Sequence, residues 1–216
     1  VESTISALPY APVTRSFRLI ETFAHSAEAG FVRGGRHIER MGRSARALGI
    51  PFDAVSGLEV LQGVARAQGN TRCRLTLDRE GRFELTTAPL ADAPKHWTLS
   101  IATQRLHSTN PWLRHKTTQR APYDQARANL PDGVDEVIFL NEHDEFCEGT
   151  ITNLFVETAN GWVTPPLECG LLPGILREEL LESGELREQV VTRDMLGGRV
   201  AVGNSLRGWI PASWKA

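Results

Sequence analysis

The longest unbroken apolar runs in this chain are only strand-sized. Val137–Leu140 is typical, closed off by Glu136 and Asn141. Runs of that length are far too short to span a bilayer. A few segments carry helical periodicity instead. In Arg36–Leu48, the residues Ile38, Met41, Ala45 and Leu48 recur at spacings of three, four and three, which is one helix face, and Gly49 is a natural stop. Leu58–Gln68 reads as a second helix ended by Gly69. Pro122 opens a third running to Asn129, and Gly174–Glu182 forms a fourth, entered from Pro173 and closed by Gly184. The strand-like segments are Phe17–Phe23, Arg72–Leu77, Arg82–Thr86, Trp97–Ala102, Glu136–Leu140, Phe146–Thr150, Asn153–Glu157, Trp162–Thr164 and Arg199–Val202. Glu80-Gly81 and Asn160-Gly161 are hairpin turns. Few helices among many short strands make a mixed α/β (α+β) fold.

A chain of 216 residues is sized for two small domains or one large α/β unit. It buries roughly 70% of its unfolded surface, enough for a core and an enclosed pocket. The loop His107–Arg114 contains Asn110-Pro111, a turn signal. We therefore expect a small N-terminal α/β domain over 1–106, a linking loop over 107–114 and a larger C-terminal domain over 115–216. The net charge of −2 gives no reason to expect nucleic acid or an anionic membrane as partner. Val1–Val13 shows no basic-then-apolar export pattern. Three cysteines without metal-ligand spacing point to reduced thiols in a cytoplasm-like compartment and to no metal site.

Several short segments carry chemistry. Lys116 lies in His115-Lys116-Thr117-Thr118, just after the expected junction, and is one of only three lysines, with Lys95 and Lys215. A desolvated lysine amine becomes nucleophilic; read alone, a solvated surface lysine is the better account. Glu148-Gly149-Thr150-Ile151-Thr152-Asn153 places an acid, two hydroxyls and an amide in a row. That acid can pair with a ring nitrogen, or simply with an arginine. Leu172-Pro173-Gly174-Ile175-Leu176 starts a helix, and the first amides of a helix suit a phosphate. In Gly203-Asn204-Ser205-Leu206-Arg207-Gly208, Ser205 can add a phosphate donor and Arg207 can take a carboxylate. Arg40 sits beside the core face of the first helix. An amine, an acid and several anion donors form the inventory of a pyridoxal phosphate (PLP) site.

The order and wording of these segments resemble the fold-type IV PLP enzymes, the class IV aminotransferase family. The matching motifs are Leu19-Ile20-Glu21-Thr22-Phe23, His37-Ile38-Glu39-Arg40-Met41, His115-Lys116-Thr117-Thr118, Glu148 to Phe155, Leu172 to Ile175, and Gly203 to Gly208. They cover about Phe17 to Pro211. The resemblance implies that Lys116 forms a Schiff base with PLP and moves protons, and that Glu148 contacts the pyridine nitrogen. It also implies that Arg40, the Ile175 and Leu176 amides and Ser205 hold the phosphate, that Leu172 packs on the ring, and that Asn153 supports the site. It further implies a homodimer acting on a small-molecule amine.

Departures from the family pattern bear on the substrate side. The usual segment before Phe17 is largely missing. The tyrosine found five residues after the lysine in branched-chain members is replaced by Ala121, with Tyr123 two positions on. Three phrases lean toward the 4-amino-4-deoxychorismate lyase group: Cys147 to Phe155, His115 to Thr118, and Asn204 to Gly208. Arg207, and secondarily Arg74, would then bind a dicarboxylate substrate. A class IV aminotransferase for branched-chain or D-amino acids is the alternative, and a PLP-binding protein without turnover is the third reading.

Overall fold

The computed structural model describes residues 16–63 and 70–215, so Val1–Val13 and the end of the expected second helix lie outside the described residues. The chain divides into two compact units. One runs to Asp92 and takes in His115–Gln119; the other comprises Ala93–Arg114 and Arg120 onward. The division thus differs from the expected junction at 107–114. A later strand belongs with the second unit, and the lysine segment belongs with the first.

In the first unit, four antiparallel strands lie in the order β2-β1-β3-β4. They are β1 Leu19–Ser26, β2 Gly30–Phe31, β3 Thr71–Leu77 and β4 Phe83–Pro89. The alternation in β3 is clean: Cys73, Leu75 and Leu77 are buried, and the residues between them are not. Helix α1 (Gly34–Ala47) packs against β1 and buries Ile38, Met41 and Ala45, the predicted face. Helix α2 (Ala54–Gln62) starts four residues before the expected Leu58. The cause is a local cap, since both Asp53 carboxylate oxygens accept from the first-turn amides of Val55 and Ser56. His115–Gln119 runs beside β1: the Ile20 amide donates to the Lys116 carbonyl at 2.9 Å, and the Thr118 amide to the Arg18 carbonyl at 2.9 Å. Backbone bonds to β1, rather than position along the chain, draw the lysine segment into this unit.

The second unit is built on β5 (Trp97–Ile101), β6 (Glu136–Leu140), β7 (Phe146–Gly149), β8 (Asn153–Thr158), β9 (Gly161–Thr164), β10 (Arg187–Glu188), β11 (Val200–Asn204) and β12 (Gly208–Trp214), with helices α3 (Ala121–Ala128) and α4 (Ile175–Glu182). The strand order is β10-β9-β8-β11-β12-β5-β6-β7, and β7 also pairs with β8. Six strands therefore close on themselves, which removes the open edge of β7. Leu99, Ile138, Phe146, Leu154, Val202 and Ile210 belong to one buried cluster contributed by all six of those strands. A second cluster, with Phe155, Leu176, Leu186 and Ala201, seats α4 on the sheet.

Strand β12 has no counterpart in the sequence-based expectations, because Pro211 interrupts its pattern. Proline is tolerated there for a local reason. Pro211 pairs with Ala201 on one side, and the parallel ladder to β5 begins only at the next residue, Ala212.

Candidate active site

Within the first unit, Lys116 is pinned to β1 through its carbonyl, and the neighbouring His115 ring meets the Ser44 hydroxyl at 3.0 Å. On the helix-facing side of β1, Glu21 is buried. Arg40 donates to both its oxygens, from Nε at 2.9 Å and from Nη2 at 2.5 Å. His37 Nδ1 lies 2.6 Å from the same carboxylate. Burial alone would push the Glu21 carboxyl up. The Arg40 charge and the hydrogen bonds from His37 and Arg40 outweigh burial and bring it down to about 2. Burial lowers His37 below its usual range despite Glu21, and the positive charges of Arg40 and Lys116 lower it further. His37 is therefore neutral near pH 7, and its Nδ1–H donates to the ionised Glu21.

Within the second unit, the β7–β8 seam is closed by the pair Glu148↔Asn153. The ladder to β6 pairs Leu140 with Phe146 and Ile138 with Gly149. Between those pairs β6 advances two residues and β7 three, so one extra residue bulges out at Cys147–Glu148. Such bulges re-aim side chains. The Tyr123 hydroxyl donates to Glu148 Oε1 at 2.7 Å. Asn153 Nδ2 reaches Glu148 Oε2 at 3.5 Å and donates to the Leu172 carbonyl at 3.1 Å. A side chain on Gly174 would collide with Asn153 Oδ1, so Asn153 links the Glu148 carboxylate to the start of α4.

The turn between Glu148 and Asn153 is organised by Glu136, which is fully buried. It accepts from the Thr150 hydroxyl at 2.6 Å, the Thr152 hydroxyl at 3.1 Å, and the amides of Val137 and Ile151. Gly149 is required there, since a Cβ would lie 2.8 Å from Glu136 Oε2 and 2.5 Å from the Thr152 hydroxyl. The next turn is tied to this one. Asn204 Nδ2 donates to the Ile151 carbonyl at 3.1 Å, and Asn204 Oδ1 accepts from the amides of Leu206 and Arg207. Ser205 and Arg207 ride on that turn, and the Arg207 guanidinium lies 5.9 Å over the Trp97 ring.

The second unit thus assembles Glu148, Asn153, Leu172, Ile175 and Leu176 around one linkage, with Ser205 and Arg207 on an adjoining turn. The first unit holds Lys116, Arg40 and Arg74; Arg74 sits in β3 across from Thr22 and Thr86. Three residues without a predicted role stand out: Glu21, His37 and Glu136. For Glu21 a signal was available, an acid inside an apolar strand, matched by His37 and Arg40 one turn apart on the next helix. Tyr123, two positions beyond Ala121, engages Glu148.

The donor set fits PLP. Helix α4 begins at Ile175 after Gly174, and no side chain caps its first amides. Such amides suit a phosphate. Glu148 is a buried carboxylate held by donors, which suits a protonated ring nitrogen.

The comparisons with known proteins agree. The family model for amino-transferase class IV matches residues 19–213. A Schizosaccharomyces pombe protein provisionally named aminodeoxychorismate lyase is 30% identical over 183 residues, 79% of each chain. A solved structure from Mesorhizobium loti, provisionally named an amino-acid aminotransferase, is 41% identical with a TM-score of 0.88, covering 92% of this chain and 100% of that one. Another from Legionella pneumophila, provisionally named 4-amino-4-deoxychorismate lyase, is 25% identical with a TM-score of 0.79, covering 91% and 82%. Among the described residues no helix is long and apolar enough to cross a membrane. The chain belongs to the class IV aminotransferase family, the fold-type IV PLP-dependent enzymes that act on small molecules.

Proposed function

We propose that this protein is a lyase converting 4-amino-4-deoxychorismate to 4-aminobenzoate and pyruvate, with PLP bound through Lys116. PLP, when bound, supplies a sink for the electron pair released at the substrate carbon. The Lys116 amine removes the proton from the ring carbon that carries the substrate amine. The bond from the substrate ring to the enolpyruvyl oxygen then breaks, the ring becomes aromatic, and Lys116 returns a proton to the departing enolpyruvate, which becomes pyruvate. Glu148 holds the proton on the cofactor ring nitrogen. The Ile175 and Leu176 amides, Ser205 and Arg40 bind the phosphate, and Leu172 packs on the cofactor ring. Arg207, with Arg74 as a second candidate, takes a substrate carboxylate.

The observation that carries the lyase reading is the bond from Asn204 to the Ile151 carbonyl. It fastens the turn bearing Arg207, the residue proposed to take a substrate carboxylate, to the turn that follows Glu148. The likeness to the S. pombe protein supports the same reading. The test is a coupled assay on aminodeoxychorismate, in which pyruvate and 4-aminobenzoate should appear in equal amounts. Pyruvate without 4-aminobenzoate would sink the proposal.

An amino-acid aminotransferase is the second reading, favoured by the likeness to the M. loti structure. A branched-chain or D-amino acid donor would then release its keto acid and leave the cofactor aminated. Turnover of any amine substrate would eliminate the third reading, a PLP-binding protein without activity. A homodimer in the cytoplasm remains our proposal for its working state, checked by sedimentation and by fractionation.

A further inference from the structure

Tyr123 is the third residue of α3, and two contacts fix its ring. It packs edge-on against Phe139 at 5.2 Å between centroids. The Arg120 guanidinium lies 5.4 Å over its face. Arg120 is itself held, donating from Nη2 to the Thr150 carbonyl at 2.8 Å and from Nε to Asp124 at 2.8 Å. The start of α3 is thereby tied to Thr150, two residues beyond the Glu148 bulge. From this anchored ring the hydroxyl meets Glu148 Oε1 at 2.7 Å.

We propose that Tyr123 is a positioning residue that acts through Glu148, fixing one carboxylate oxygen and thereby favouring the proton on the cofactor ring nitrogen. This rests on the reading that Glu148 faces that nitrogen. An ionised carboxylate only accepts, so the phenol must donate. A donor hydrogen bond favours the charged form of a carboxylate. A carboxylate whose charge is partly satisfied competes less for the ring-nitrogen proton, so the proton stays on the ring. Burial and the neighbouring Glu148 charge also raise the phenol well above its ordinary range, so it keeps its proton and remains a donor at working pH.

The test uses Tyr123→Phe, Glu148→Gln and the double variant. Phenylalanine keeps the ring contacts with Phe139 and Arg120, and a melting curve verifies folding. With PLP labelled by 15N at the ring nitrogen, Tyr123→Phe should move that resonance toward its unprotonated position. It should also lower kcat about tenfold while KM changes less than about twofold. Glu148→Gln should move the resonance further, and adding Tyr123→Phe should then change nothing. If Tyr123→Phe leaves the resonance in place while Glu148→Gln shifts it, Tyr123 does not act through Glu148 and the inference falls alone. If neither shifts it, the assignment of Glu148 falls and takes the inference with it. A second measurement needs no cofactor. The chain has two tyrosines, so in a Tyr10→Phe background ultraviolet titration reads Tyr123 alone. Glu148→Gln should bring its ionisation down toward the ordinary phenol range; an unchanged titration overturns the contact itself.

Discussion

Each unit holds a glutamate that is almost completely enclosed, Glu21 in the first and Glu136 in the second, and these two are satisfied in opposite ways. Glu21 in the first unit is answered by charge, with both oxygens taken by Arg40 and one also by His37. Glu136 in the second is answered mainly by neutral donors, two threonine hydroxyls and two backbone amides, with Arg127 only at 3.5 Å. The first solution orients a cation and fixes a histidine tautomer. The second fixes a turn of backbone.

The largest effect we expect is at Lys116, in the first unit. Lys116→Ala should lose the visible band of bound PLP, lose borohydride-stable attachment, and lower turnover about a thousandfold or more. If borohydride still fixes the cofactor to the variant protein, the lysine assignment is wrong.

The two glutamates can then be set directly against each other. Glu21→Gln leaves Arg40 buried without its counter-charge and should cost about 3–5 kcal/mol in urea unfolding. Glu136→Gln must turn an NH2 group toward a donor and should cost less, about 1–3 kcal/mol. Equal losses would dissolve the contrast.

Acid sharpens it further. The folded Glu21 carboxyl sits at about 2, below its ordinary 4.5. A depressed carboxyl contributes stability that is fully present above the unfolded value and is lost as pH falls through the folded one. About 3 kcal/mol should therefore disappear between pH 4.5 and 2. His37, also depressed, adds a loss that begins below its ordinary 6.5. Unfolding free energies of Glu21→Gln should lack the lower step, and those of Glu136→Gln should retain it.

Smaller effects test the chain geometry. Gly149→Ala forces a Cβ onto Glu136 and Thr152 and should cost about 1–3 kcal/mol, with altered PLP affinity because Glu148 precedes it. The smallest effect belongs to the surface. Glu80→Ala breaks an exposed pair with Arg82 and should leave the melting temperature unchanged within error.

How much of this was legible beforehand follows from the range of the interactions. The apolar face of α1 depends on neighbours a few positions away and stands where the sequence pattern puts it. The β8–β9 hairpin forms as expected, but its two-residue turn is Ala159-Asn160, one position before Asn160-Gly161, with Thr158 paired to Gly161. The start of α2 departs from the apolar periodicity because the Asp53 cap, equally local, begins the helix four residues earlier. Strand β12 was missed because Pro211 is acceptable only where one side lacks a ladder partner, a condition set by β5, more than a hundred residues earlier in the chain.

The candidate site divides along the same line. The types and order of Lys116, Glu148, Asn153, the Pro173-Gly174 helix start and Ser205 were determined by the sequence alone, since motif wording needs no coordinates. Tertiary structure decided what each side chain answers to. Glu21 meets His37 and Arg40 only because β1 and α1 pack face to face. Tyr123 meets Glu148 only because a bulge re-aims β7 and Arg120 draws α3 onto the following turn. A lysine segment distant in sequence joins β1 through backbone hydrogen bonds that any residues could make, and so leaves no mark in composition or periodicity.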